Sequence, residues 1–338
     1  MNEENKTEHL KNNIYVNENQ TVYISVEDVE NLFDCTVYYD EKYNQIITTS
    51  DTKVANIAIN EKKMTVNNSE VSILDSIIKI DNNIYLPISD MEIVYNVKVE
   101  YIESTNRIII DELSKGMIRA TITENTNIKF KPRGLSKNIG ILKQGETVEC
   151  FYTTSKGWRQ IRTSDGTIGY IKANKLSNEY IIRQDMLEKG EAVKISLKDY
   201  RKNNFVVSDR KVIIKDIFSI NEATVEKDDE FNTSDQENKA WFVVSNGSLN
   251  QQNEILRQIL SDYKSRTTFI DSIVKKAIKN NTNGISIEFV GIEDKEIIKR
   301  FIVELAPKLR EIGITTCVVL NENIQKQDYI NIVDYIVE

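Results

Sequence analysis

The sequence predicts a multidomain protein: an α+β repeat domain, then a small all-β module, then a region of parallel β/α units. Three observations predict this order: a gap-free internal repeat at an offset of 62 residues, five short strands separated by turn residues over 117–177, and alternating apolar strands and helices from about 179. With 338 residues, the chain is long enough for two or three domains that each bury a core.

Composition excludes several classes of function. The chain carries 44 Lys and Arg against 52 Asp and Glu, a net charge of −8, without a basic stripe. We therefore expect no nucleic-acid partner, because phosphate binding needs clustered cations. The single histidine, His9, and three dispersed cysteines, Cys35, Cys150 and Cys317, predict neither a metal site nor a histidine-dependent cofactor. No apolar run approaches the roughly 20 residues that span a bilayer, so we expect no membrane span.

The repeat aligns residues 22–48 with residues 84–110. Each copy reads as a short strand, a short helix and a strand pair. An aspartate opens each helix, where its carboxylate is expected to accept from free backbone N–H groups of the helix. Nine of the aligned pairs are identical: Tyr23/Tyr85, Asp28/Asp90, Glu30/Glu92, Val37/Val99, Tyr39/Tyr101, Glu41/Glu103, Asn44/Asn106, Ile46/Ile108 and Ile47/Ile109.

This pattern, over residues 14–114 behind a polar tail of residues 1–13, resembles the copper amine oxidase N-terminal-like domain, common in surface proteins of Firmicutes. The sequence holds no histidine cluster that could ligate copper. The resemblance therefore implies a stalk or wall-associated module without redox chemistry. Most of the repeated residues are expected to be structural, including Cys35, whose counterpart in the second copy is Val97.

Residues 115–178 are predicted to form the all-β module, and the Asp165-Gly166 turn is a strong hairpin signal. Its spaced motifs are Asn127 to Pro132, Ile139-Gly140, Gly145, Gly157-Trp158 and Asp165 to Ile171. These motifs resemble the bacterial SH3 domain, which implies a small SH3-like barrel and the binding of peptidoglycan peptides. The implied ligand-binding residues are Asn127, Trp158 and Tyr170. Alternatively, Trp158 closes the core of the barrel and Tyr170 packs beside it.

Residues 179–338 resemble part of glycoside hydrolase family 18, the chitinase family, through 240–250, 269–292 and 294–320. The resemblance implies a partial (β/α) TIM-type barrel. It also predicts an open barrel edge, because the chain ends before the last strands of that fold. Either the sequence continues beyond what is given, or a protein partner covers the edge. The acidic stretch 225–239 is predicted to be a solvated loop.

In that family the fourth strand carries Asp-Gly-x-Asp-x-Asp-x-Glu, and the final Glu is the general acid of a substrate-assisted hydrolysis. Here Asn283, Ser286 and Glu288 replace the three aspartates, and Val290 replaces the glutamate. Valine cannot donate a proton, and losing a general acid costs about 10²–10⁴-fold in rate. The pattern predicts that the catalytic motif is not intact. Glu293 and Asp294 are expected to be acids at a helix N-terminus.

Together these patterns favour a non-catalytic protein that binds peptidoglycan or another cell-wall glycan or peptide. Its expected location is the cell surface, cell wall or spore envelope, provided that an export segment lies upstream, because the first residues lack a signal-peptide pattern. Two alternatives stay open: a family 18 N-acetylglucosaminidase that acts on peptidoglycan or chitin-type glycans, and a purely structural or interaction protein.

Overall fold

The computed structural model is a multidomain, mostly-β protein with five sheets among the residues that it describes. Those residues are 4–33, 35–114, 116–182, 190–207, 210–219, 238–247 and 250–338. The chain divides into two compact units, the first comprising 1–35, 57–64 and 70–186, and the second 36–56, 65–69 and 187–338. The domain boundaries at 14, 115 and 179 stay predictions. Most of the acidic stretch, residues 225–237, lies outside the described residues.

Both copies of the repeat form the predicted strand, helix and strand pair. The elements of this region are β1 (Tyr15–Val16), β2 (Val22–Ser25), α1 (Val26–Phe33), β3 (Thr36–Asp40), β4 (Gln45–Thr49), β5 (Val54–Ala58), β6 (Lys63–Val66), β7 (Ser69–Ser72), β8 (Ile78–Ile80), β9 (Asn83–Pro87), α2 (Glu92–Tyr95), β10 (Val97–Ile102) and β11 (Arg107–Glu112). Their sheets run β1-β2-β9-β8, β3-β4-β5-β6-β7 and β10-β11. The first strands of the two copies, β2 and β9, pair antiparallel, and Ile24 lies opposite Leu86.

The repeated aspartates do not cap their own helices, so that expectation is wrong. In the first copy the Ser25 hydroxyl takes this place and accepts from the backbone N–H of Asp28. The buried Asp28 carboxylate instead accepts from the backbone N–H groups of residues 11 and 12, at 2.7 and 3.0 Å. Asp90 likewise accepts from the backbone N–H groups of residues 74 and 75, at 2.9 and 3.1 Å. Each copy therefore clamps a chain segment that precedes it.

The next region is an antiparallel sheet of seven strands, two more than predicted. They are β12 (Met117–Ile122), β13 (Thr126–Lys129), β14 (Asn138–Leu142), β15 (Thr147–Thr153), β16 (Trp158–Arg162), β17 (Ile168–Lys172) and β18 (Leu176–Ile182). The order is β14-β13-β17-β16-β15-β12-β18. One face covers an aliphatic core that includes Ile128, Ile161 and Ile171. Buried Arg162 donates to Asp111 of β11 at 2.8 Å, which joins this sheet to the repeat within the first unit.

The C-terminal region confirms the predicted parallel β/α units. Its elements are β19 (Val193–Ile195), α3 (Leu197–Tyr200), β20 (Asn204–Val207), β21 (Arg210–Ser219), β22 (Asn238–Ser245), α4 (Asn250–Ser261), α5 (Tyr263–Lys279), β23 (Gly284–Glu288), α6 (Lys295–Glu311), β24 (Thr315–Val319) and β25 (Tyr335–Val337). The sheet order is β19-β25-β24-β23-β22-β21-β20, parallel except at β20.

The helical periodicity of residues 250–280 corresponds to two helices, α4 and α5. Asp262 separates them and caps α5 by accepting from the backbone N–H of Ser265 at 3.1 Å. The alternation of strands and helices predicts a further helix around Tyr329 to Ile332, and this prediction is wrong, because the structure has only a 3₁₀ turn at Lys326–Asp328. The three apolar or aromatic residues of the stretch Tyr329 to Ile332 supply too short a periodic run to propagate an α-helix.

Candidate functional site

The first candidate site is the carboxyl end of β23, in the middle of the parallel sheet. Side chains alternate along this strand. Ile285 and Ile287 pack into the cluster on the helix side, whereas Ser286 lies next to Cys317, its partner in register on β24, in the opposite cluster. Glu288 continues the Ser286 side by the same alternation, and Val290 follows two residues beyond the end of the strand. The structure therefore places two of the four predicted motif positions, Ser286 and Glu288, on one face of β23.

That face is filled by a hydrophobic core. Ser286 is fully buried, and its hydroxyl lies 2.8 Å from the hydroxyl of Tyr200, which ends α3. Trp241 packs against Tyr335 at a ring-centroid distance of 4.8 Å and against Phe205 at 5.9 Å. Complete burial raises the pKa of the Cys317 thiol to about 12, so this thiol is protonated at neutral pH. The interior beneath the strand end holds packed aromatic rings.

Glu288, the acid nearest the strand end, is already paired. Its Oε1 accepts from Arg201 Nη2 at 2.5 Å, and Arg201 directly follows α3. Because Tyr200 binds Ser286 and Arg201 binds Glu288, two consecutive residues fix the end of α3 to β23. The carboxylate therefore holds a neighbouring segment in place.

At Val290 the structure has backbone hydrogen bonds to a neighbouring strand end. The Val290 N–H donates to Asn246 Oδ1 at 2.9 Å, and Asn246 Nδ2 donates to the Val290 carbonyl at 2.7 Å. On the other side, Asn321 Nδ2 donates to the carbonyl of Phe289 at 2.6 Å. The sequence analysis did not single out these asparagines. Their positions in the sequence could have identified them, because each directly follows the end of a strand or of its last apolar residues: Asn246 follows the run Trp241 to Ser245, and Asn321 comes shortly after β24.

The remaining acids and amides lie elsewhere. Asp294 caps α6 by accepting from the backbone N–H groups of Glu296 and Ile297, at 3.1 and 3.4 Å, which confirms the helix N-terminus expected for it. Asn283 sits at the amino end of β23, where its Oδ1 accepts from the backbone N–H of Ala240 at 3.1 Å. It is therefore at the opposite end of the strand from Val290.

The second candidate site is the outer face of the antiparallel sheet. Across β13, β17 and β16, Lys129 pairs with Tyr170, Gln160 pairs with Tyr170, and Trp158 pairs with Lys172. Paired residues share a face, and Asn127 lies two positions before Lys129, so the register places Asn127, Trp158 and Tyr170 on the face opposite the aliphatic core.

On this face the aromatic side chains differ in access. Trp158 is only 7% exposed, and Lys172 Nζ lies over its ring at 4.5 Å from the centroid. Tyr152, which the sequence analysis missed, is 51% exposed, and its hydroxyl lies 2.6 Å from that of Tyr170. This hydrogen bond, together with burial, raises the pKa of Tyr170 to about 12. Gln160 Oε1 is buried and has no hydrogen-bond partner among the described residues.

Comparisons with known proteins cover parts of the chain. The family model of the copper amine oxidase N-terminal domain matches residues 3–110. No curated protein matches significantly. Among solved structures, a candidate sporulation-specific glycosylase of Bacillus subtilis is 15% identical, with a TM-score of 0.32, over 38% of this chain and 50% of its own. The spore cortex-lytic enzyme SleL of Bacillus cereus is 25% identical, with a TM-score of 0.27, over 30% of this chain and 25% of its own.

SleL of Bacillus megaterium is similar as well, at 20% identity and a TM-score of 0.26 over 29% of this chain and 26% of its own. The chain thus spans half of the first of these structures and about a quarter of the other two. Among the described residues, no helix is long and apolar enough to cross a membrane. The same residues contain no group of three or more His, Cys, Asp or Glu that could hold a metal ion.

Proposed function

We propose that the protein is a non-catalytic component of the cell envelope that binds peptidoglycan or a related cell-wall polymer. The observation that carries this proposal is the carboxyl end of β23. At the position of the proton donor stands Val290, and the nearest acid along the strand, Glu288, is ion-paired with Arg201. Glycoside hydrolysis requires an acid that is free to protonate the leaving oxygen. Packed aromatic rings beneath the strand support the same conclusion.

The outer face of the antiparallel sheet supports the binding role. It presents the exposed Tyr152 beside Tyr170, with cationic Lys129 and Lys172 on the same face. Aromatic rings pack on sugar faces and on aliphatic side chains, and cations attract the carboxylates of an anionic polymer. This face is where we expect insoluble peptidoglycan to bind.

Turnover assays test the non-catalytic part. The full chain is incubated with peptidoglycan and with chitooligosaccharides, and released reducing ends are measured. We expect no turnover by the unmodified protein. Val290→Glu is the informative variant, and Val206→Glu, at another exposed valine, is its control. Turnover by the unmodified protein would contradict the proposal, whereas turnover by Val290→Glu alone would support a decayed active site.

Sedimentation with insoluble peptidoglycan tests the binding part. We expect the full chain to sediment with the polymer and Tyr152→Ala to lose most of this binding. Tyr39→Ala is a matched control, because Tyr39 is 38% exposed and lies on β3, in a different sheet. If no variant of the outer face changes the bound fraction, this face is not the binding surface. If the unmodified protein does not sediment, a purely structural role is favoured.

A further inference from the structure

A large cleft within the first unit has no role in the proposed sites. Its volume is about 1030 Å³, at the upper end of the range for small-ligand pockets. Its floor is β11 at residues 108–110, one wall is the turn 166–168 together with Phe130, and the other wall is the N-terminal segment from residue 4 to residue 16. All three belong to the same compact unit.

Hydrogen bonds fix each wall of this cleft. Arg107, at the start of β11, donates to the carbonyl of Asp165 at 3.4 Å and to the hydroxyl of Thr167 at 3.3 Å. Thr105 donates to the same carbonyl at 3.1 Å. On the opposite side, the Asp28 clamp holds the backbone of residues 11 and 12. The cleft is therefore largely preformed, which lowers the entropic cost of binding a ligand.

The charge of the lining is opposite to that of the whole chain. Four cationic side chains, Lys6, Lys11, Arg107 and Arg162, face a single acid, Glu4, although the chain carries a net charge of −8. Lys6, Lys11 and Arg162 are ion-paired. The two oxygens that accept from Arg107 are neutral, so neither hydrogen bond neutralises its positive charge. The charge also contributes, after a hydrogen bond from Thr163, to lowering the pKa of Asp165.

An apolar surface adjoins this cation. Phe130 is 60% exposed at the cleft wall, and partly buried isoleucines of β11 line the floor. Several asparagine side chains complete the lining, and their amides can both donate to and accept from peptide groups. These features together match a short acidic peptide with small aliphatic side chains. The cation suits its carboxylate, the amides suit its peptide bonds, and the apolar wall suits its side chains.

We propose that this cleft binds a short anionic peptide, in which Arg107 takes a carboxylate and Phe130 packs on an aliphatic side chain. The inference rests on the proposed function, because peptidoglycan carries peptides of this chemistry on its glycan strands. It places peptide recognition in the cleft and the contact with the insoluble polymer on the outer face of the antiparallel sheet.

Fluorescence anisotropy with the full chain and a labelled disaccharide-tetrapeptide from peptidoglycan tests this. We expect Arg107→Gln to weaken binding about tenfold, as for the loss of a charge-assisted hydrogen bond. Phe130→Ala, at a mostly exposed side chain that can be removed without opening a core, should weaken it about threefold to tenfold. The controls are Arg257→Gln on α4 and Leu135→Ala, which is fully exposed; neither lines the cleft, and neither should change the affinity.

The outcomes separate the two proposals. If the unmodified protein binds neither the tetrapeptide nor insoluble peptidoglycan, both proposals fail. If it binds the insoluble polymer but not the tetrapeptide, the cleft proposal fails alone. It fails alone as well if the disaccharide without its peptide binds equally tightly, or if both Arg107→Gln and Phe130→Ala keep the affinity of the unmodified protein.

Discussion

The two copies of the repeat keep the same side-chain contacts, whereas the polar residues at the carboxyl end of β23 each have a different kind of partner outside that strand. Tyr39 donates to Asn44 Oδ1 at 3.0 Å in the first copy, and Tyr101 donates to Asn106 Oδ1 at 3.1 Å in the second. Both asparagines adopt positive φ angles, 48° and 49°, which favour asparagine over most residues. Identity between the copies therefore marks contacts that hold turns and clamps.

At β23 the polar residues have other partners. Ser286 binds Tyr200, Glu288 binds Arg201, and the backbone around Val290 binds Asn246. The repeated residues of the two copies hold turns and chain segments within the repeat, whereas the polar groups at the end of β23 hold α3 and the neighbouring strand end. Substitutions in the two regions should therefore lower the free energy of unfolding by different amounts.

The largest effect is expected at the aspartate clamps. Asp28→Ala removes a buried acceptor of two backbone N–H groups and of the Ser25 hydroxyl, and should lower the free energy of unfolding of the first unit by about 3 kcal/mol. Asp90 accepts two bonds and is less buried, so Asp90→Ala should cost about 2 kcal/mol. Denaturant unfolding measures both, and hydrogen exchange at residues 11, 12, 74 and 75 locates the loss.

Glu27→Ala is the matched control for the clamps, because Glu27 is an exposed acid on α1 whose ion pair with Lys11 lies at the surface. We expect it to change stability by less than 1 kcal/mol. If Asp28→Ala lowered the free energy of unfolding no more than this control, the clamp would not stabilise the first unit. The shared contacts of the two copies would then not contribute to stability.

A smaller effect is expected at the repeated turns. Tyr39→Phe and Tyr101→Phe each remove one hydroxyl that donates to an asparagine side chain, and each should cost about 0.5–1 kcal/mol. Chemical denaturation of each variant tests this, with Tyr180→Phe on β18 as the control. Equal, small losses of stability in the two variants would support the prediction that the two turns are equivalent. A loss in one copy alone would show that the two turns share their geometry but not their contribution to stability.

The sequence predicted the repeat because its two copies could be compared with each other. The strand, helix and strand pair followed from aligned apolar positions. The partners of Asp28 and Asp90 did not, since they lie 15 to 17 residues earlier in the chain. For β23, the period of two along a strand is enough to place Ser286 on the face opposite Ile285 and Ile287. Tyr200 fills this face because α3 packs against it, and the periodicity of the sequence does not predict where α3 packs.

The smallest effect is expected at Glu288. Its partner Arg201 is largely exposed, so solvent screens the pair, and Glu288→Gln should lower the free energy of unfolding by only about 0.5 kcal/mol. A double-mutant cycle with Arg201→Gln isolates the coupling between the two side chains. Because both residues only hold α3 on the strand, each single variant should leave peptidoglycan binding unchanged. A coupling above about 2 kcal/mol would instead place this pair among the contacts that determine the fold, as the clamps of the repeat do.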